Sequence, residues 1–157
     1  MTIQLTHFVL LFVVCCLFFA VAVAYLWSLG YYSTIAGGML GYSAADYTFI
    51  GGGLENIAEG ESSTIAGGTD ISVSGNYAVV AGGRENVISG NYAAVVGGRE
   101  NVISGNYGFI GGGTKNDVSA PQSTLGGGWG NNVKGAVGFV GGGHKNTVRR
   151  PQNSLVI

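Results

Sequence analysis

Charge is the scarcest commodity of this 157-residue chain: Asp, Glu, Lys and Arg together make up 10% of it, and no Lys or Arg occurs before Arg84. A nucleic-acid groove needs clustered basic residues with stacking aromatics between them, so the composition excludes a nucleic-acid partner. Proline occurs twice, which is too little for a Pro-rich linker. The only cysteines, Cys15 and Cys16, are adjacent inside an apolar run and cannot staple a disulfide framework. Two histidines, His7 and His144, stand far apart, and no Cys/His cluster has zinc spacing. Asp46, Asp70 and Asp117 share no position in the repeat described below, which removes a calcium-binding solenoid. Neither a phosphate loop nor a nucleophile with an oriented base can be found, so the chain reads as a non-enzyme without cofactor or metal.

The few charges that exist are unevenly placed. Asp46, Glu55, Glu59, Glu61 and Asp70 give the part before Arg84 a charge of −5. Seven basic residues against Glu85, Glu100 and Asp117 give the rest +4. These charges read as solvated turn positions.

What is present begins with an apolar run. Phe8 to Trp27 contains no charge, no Pro and no Gly. Twenty helical residues rise roughly 30 Å, the thickness of a bilayer's hydrocarbon core. The segment predicts one membrane-spanning helix within an anchor of residues 1–30, contacting lipid through residues 8–27. Tyr25, Trp27, Tyr31 and Tyr32 supply interfacial aromatics at one end. Ala22-Val23-Ala24 also fits a signal-peptide cleavage site, but the run is long and no basic residue precedes it, so a retained anchor is the reading adopted. Orientation stays open, because neither flank carries basic residues near the membrane.

Residues 31–157 are organised by repetition. Tyr77–Asn91 and Tyr92–Asn106 agree at thirteen of fifteen positions. Their glycine pairs, Gly82-Gly83 and Gly97-Gly98, recur in the same register at Gly37-Gly38, Gly52-Gly53, Gly67-Gly68, Gly112-Gly113, Gly127-Gly128 and Gly142-Gly143. A fixed period of this size marks a stacked-repeat architecture. The pairs are read as turn glycines, since a tight turn repeated on every coil needs positive φ or close backbone packing.

Two aliphatic columns accompany the glycines. One is Ile35, Ile50, Ile65, Val80, Val95, Ile110, Leu125 and Val140, which Leu155 extends at the same spacing. The other is Ser43, Ala58, Val73, Ile88, Ile103, Val118, Val133 and Val148. Each apolar segment is short and mostly β-branched, which favours strands over helices. The expected fold is all-β: a parallel β-solenoid of about eight fifteen-residue coils, each a two-strand β-roll, preceded by the transmembrane helix. At about 4.8 Å per coil the rod is roughly 40 Å long. Asn56, Asn86, Asn101, Asn116, Asn131 and Asn146 form a further column, expected to hydrogen-bond along the ladder or cap turns.

Strand alternation turns the neighbours of the first aliphatic column outward. That outer column contains Phe49, Val79, Phe109 and Phe139, and two places earlier stand Tyr47, Tyr77, Tyr92 and Tyr107. So much exposed aromatic surface implies a lateral partner, and these eight residues are the candidate oligomer face.

The blocks YAVVAGG and NVISGN, with Val79, Val80, Gly82, Val87, Ile88, Ser89 and Gly90, resemble the short repeats of trimeric autotransporter adhesin heads. The resemblance covers Tyr32–Ile157 and implies a left-handed parallel β-roll that trimerises through one face. Similar Gly-Gly and Asn repeats occur in surface and virion proteins of phages and large DNA viruses. The period of fifteen, the absence of a coiled-coil stalk and of a C-terminal membrane barrel, and the N-terminal apolar segment depart from the adhesin pattern. The expectation is therefore a membrane-anchored structural rod, trimeric, linking a membrane to a shell or surface layer of a virion or cell through other structural or surface proteins. The alternative is an adhesin or receptor-binding protein that uses Arg84, Arg99, Lys115 and His144.

Overall fold

The computed structural model describes residues 26–149 and 155–156. These residues form an all-β parallel solenoid, and every strand is two residues long. One nine-stranded sheet runs from Trp27–Ser28 to Thr147–Val148, and a second from Thr34–Ile35 to Leu155–Val156. Consecutive coils pair at an offset of fifteen, so Val80, Val95 and Ile110 lie directly above one another. The expected transmembrane span lies outside the described residues apart from Leu26 and Trp27; among the described residues no helix is long and apolar enough to cross a membrane. The ladder reaches back to Trp27, which pairs with Tyr42, so the end of the segment assigned to the anchor belongs to the first coil.

Each coil has more sides than the two that its aliphatic columns predict. A third parallel ladder, one residue wide, joins Met39, Leu54, Thr69, Arg84, Arg99, Thr114, Trp129 and His144. Its side chains share no chemistry, and so its column carries no hydrophobic signal. Three left-handed positions per coil bend the chain between these ladders. The second glycine of every pair has φ between 88° and 123°, while Tyr32, Tyr47, Ser62, Tyr77, Tyr92, Tyr107, Gln122 and Val137 lie at 54° to 58°. The third position is held by Leu40, Glu55, Asp70, Glu85, Glu100, Lys115, Gly130 and Lys145. The tyrosines therefore sit at corners and do not continue the strand alternation.

The glycines of a pair do different work. A Cβ on Gly98 would lie 2.8 Å from Gly113 N and 2.7 Å from Asn101 Nδ2, and closer still to the Gly113 carbonyl oxygen. Around Gly37, Gly67, Gly97 and Gly112 a Cβ would meet nothing within 4 Å. The period thus contains one glycine that the stacking of coils requires and one that it does not.

The core is a narrow column of aliphatics. Ile50, Ile65, Val80, Val95, Ile110, Leu125 and Val140 face Ala58, Val73, Ile88, Ile103, Val118, Val133 and Val148, all buried. A third inward column of small residues adjusts the volume: Ser43 is hydrogen-bonded to Thr48, whereas bulky Ile103 is matched by Gly108, whose added Cβ would lie 2.6 Å from Ile103 Cγ2. Close-packed interiors tolerate neither voids nor overlaps, which explains the reciprocal sizes.

The last repeat departs from the spacing. Val140 pairs with Val156 and Phe139 with Leu155, so Val156 rather than Leu155 occupies the register of the core column. One extra residue between Val148 and Leu155 shifts the register, and a shift of one exchanges the two faces of a strand.

Val137 is the one β-branched residue in the left-handed corner column. Such residues are disfavoured there because the branched Cβ crowds the backbone. Val137 is also exposed, so it gains little from burial. Val137→Asn is expected to stabilise the rod by about 1 kcal/mol and to raise Tm by roughly 2–4 °C, read by thermal melting.

Candidate functional site

The inward Asn column is a backbone-binding ladder. In Asn101, Nδ2 donates to the carbonyls of Gly97 (3.2 Å) and Gly113 (3.1 Å), while Oδ1 accepts the N–H of Asn116 (3.1 Å). Asn116 and Asn131 repeat all three bonds. The amides bond to backbone and not to one another, tying each glycine corner to the coil that follows. Ile71 interrupts the ladder between Asn56 and Asn86. A second, exposed amide ladder runs the opposite way, with Asn76 N–H donating to Asn91 Oδ1 and Asn91 N–H to Asn106 Oδ1, both at 2.9 Å. Both columns therefore serve the fold.

All eight residues of the predicted oligomer face are exposed. Phe49, Val79, Phe109 and Phe139 belong to outward positions of the second sheet. Tyr77, Tyr92 and Tyr107 form a continuous stack beside that sheet, with ring centroids 5.0 and 5.1 Å apart, and Tyr32 and Tyr47 form a separate pair at 5.4 Å. Ser62 is the gap between the two stacks. Each stacked pair contributes about 0.5–1.5 kcal/mol beyond area burial, which offsets the left-handed backbone at those corners.

The surface next to the phenylalanines is sized to them. Two residues on from Phe49, Phe109 and Phe139 stand Gly51, Gly111 and Gly141, whereas Ala94 is followed at that distance by Val96. A Cβ on Gly51 would lie 3.3 Å from Phe49 Cε1 and closer still to the Ala66 carbonyl of the next coil, so both the ring and the stacking of coils keep that position bare. Neither column contains a charged residue, and the corner tyrosine column and the first-glycine column contain none either.

The basic residues of the alternative reading gather on the side built by the third ladder. Arg84 pairs with Glu85 (3.4 Å), Arg99 with Glu100 (3.2 Å) and Lys115 with Glu100 (3.3 Å). Exposed pairs of this kind contribute about 0–1 kcal/mol and leave these cations partly neutralised. His144 instead stacks on Trp129 at 4.5 Å, and Lys145 Nζ lies 5.0 Å from the same indole centroid. Trp129 is the residue that the sequence reading missed. Its only signal is position, fifteen residues before His144. Elsewhere Asp117 has its carboxyl pushed above the usual carboxylate range by burial, against the opposing influence of Lys134 and the Asn132 hydrogen bond.

No protein-family model matches the chain, and none of the curated proteins matches it.

Proposed function

We propose that this chain is a non-enzymatic structural protein, fixed in a membrane by its N-terminal apolar segment and projecting a rigid solenoid that links the membrane to a shell or surface layer of a virion or cell. The observation that carries this reading is the uncharged aromatic side of a rod whose first strand begins within the last residues of the apolar run. A side of that kind supports self-association and docking, while its short, densely bonded coils support a spacer role. With Trp27 in the first coil, the uncharged run from Phe8 to Tyr25 is still long enough for the proposed anchor, since a helix of that length would measure roughly 27 Å and cross a bilayer with slight thinning. The resemblance to trimeric adhesin heads makes three rods the favoured bundle.

Full-length chain in membranes is expected to resist alkaline carbonate and high salt and to be released by detergent. Release by carbonate alone would remove the anchor. After extraction, light scattering is expected to give a multiple of the 16.0 kDa chain mass, and a monomer would remove the bundle.

A surface adhesin is the second reading. The patch of Trp129, His144 and Lys145 favours it, because two stacked exposed rings beside the Lys145 ammonium offer a ligand both a flat stacking surface and a positive charge. Binding of full-length chain to cells, lost in Trp129→Ala, would move the function there.

A further inference from the structure

We infer that the uncharged side of the rod is a contact surface for a second copy of this chain lying parallel and in register, with the aromatic margin of each copy seated on the first-glycine column of its neighbour. The inference rests on the self-association proposed above and specifies its surface and direction.

Along the strand direction this side runs from the corner tyrosines, through the Phe49 column and the Gly51 column, to the first glycines of the pairs. Its two middle columns are levelled, since each phenylalanine in one is matched by glycine in the other and each valine by alanine. Its two margins are unlike. One carries exposed tyrosine rings; the other is glycine in all eight coils. At Gly52 and Gly112 the backbone itself favours glycine, with φ of 157° and 158°, but at the other six positions neither backbone conformation nor crowding accounts for it, because a Cβ there meets either nothing within 4 Å or an atom at 3.9 to 4.0 Å. Glycine retained under open space fits a surface on which another molecule rests closely.

The unlike margins also fix the direction. A rotation axis running along the rod, three-fold as in the favoured bundle or two-fold, places the tyrosine margin of each copy against the glycine margin of its neighbour. A two-fold axis across the rod would set tyrosine against tyrosine and glycine against glycine, leaving a gap along one edge. Parallel copies around a common axis also place every N-terminal segment at the same end, as anchoring in one membrane requires. At roughly 34 Å by 18 Å the side offers about 600 Å² per copy, or about 1,800 Å² in a bundle of three and about 1,200 Å² in a pair, the latter being the lower bound for a stable interface. Absence of charge across it means that association strands no buried ion.

The test uses full-length chain in membranes, with Cys15 and Cys16 replaced by serine and single cysteines introduced for a short bis-maleimide. Ala94→Cys, at mid-rod, and Thr124→Cys, toward the C-terminal end, are both expected to cross-link to their own kind; Ser89→Cys, beyond the first sheet, is not. Cross-linking of Ala94→Cys without Thr124→Cys would mean antiparallel rods and overturn the direction. Cross-linking of Ser89→Cys alone would overturn the face while leaving the bundle intact. A chain that is monomeric by light scattering would overturn both this inference and the self-association beneath it. A paired measurement tests the glycine margin: Gly82→Val with Gly97→Val is expected to keep the β-sheet circular dichroism and to weaken association roughly tenfold, equivalent to a tenfold change in Kd. Unchanged association would show that nothing seats there.

Discussion

Replacing Gly98 by alanine is expected to destabilise the rod by about 4 kcal/mol, while the same change at Gly97 leaves it within about 1 kcal/mol of the parent. Gly98 has φ +89°, a conformation that costs a residue with a Cβ about 1–2 kcal/mol. The new methyl group would also press on the backbone of the next coil at Gly113, and that backbone belongs to the third ladder and cannot withdraw without breaking the Arg99 N–H bond to the Gly113 carbonyl. At Gly97 the added carbon meets open space, and the loss of unfolded-state freedom even favours the variant. Urea titration of the two proteins, followed by circular dichroism, separates them. Equal midpoints would show that the pair is a composition preference without a steric cause.

Removing the amide of Asn101 should have a comparable effect. Asn101→Ala takes away the donors to Gly97 and Gly113, in partly buried bonds, and the acceptor for Asn116 N–H, in a buried one. The Gly113 carbonyl keeps Arg99 N–H as a partner, but the Gly97 carbonyl and the Asn116 N–H lose their amide contacts. Each orphaned buried group costs about 1–3 kcal/mol, which gives a loss of about 3–5 kcal/mol. Asn101→Ile is expected to recover part of this by burying apolar surface, as the chain itself does at Ile71. An isoleucine variant no more stable than the alanine variant would show that the Ile71 coil relies on some other compensation.

The aliphatic columns were legible because burial leaves a chemical mark: an inward position repeated every fifteen residues must be apolar or small in each coil. Period, strand type and number of coils all follow from that mark. The third ladder left none. Met39, Leu54, Thr69, Arg84, Arg99, Thr114, Trp129 and His144 hold their place by backbone bonds on the outside, where side-chain identity is free. Leu155 misled for a related reason, since a one-residue insertion moves register without changing composition. The tyrosine column was recognised as outward, yet its corner conformation was hidden, because tyrosine has no left-handed preference that would announce it.

By itself the sequence determined that coils stack, which residues line the rod and that one side is aromatic, because period and hydrophobicity suffice for all three. Only the tertiary structure decided that each coil turns at three left-handed corners. It also decided that one glycine of each pair is sterically obligatory while its neighbour is not, and that the buried asparagines bind backbone. Those facts depend on how closely one coil approaches the next. A string of residues carries no such distance until the coils are stacked.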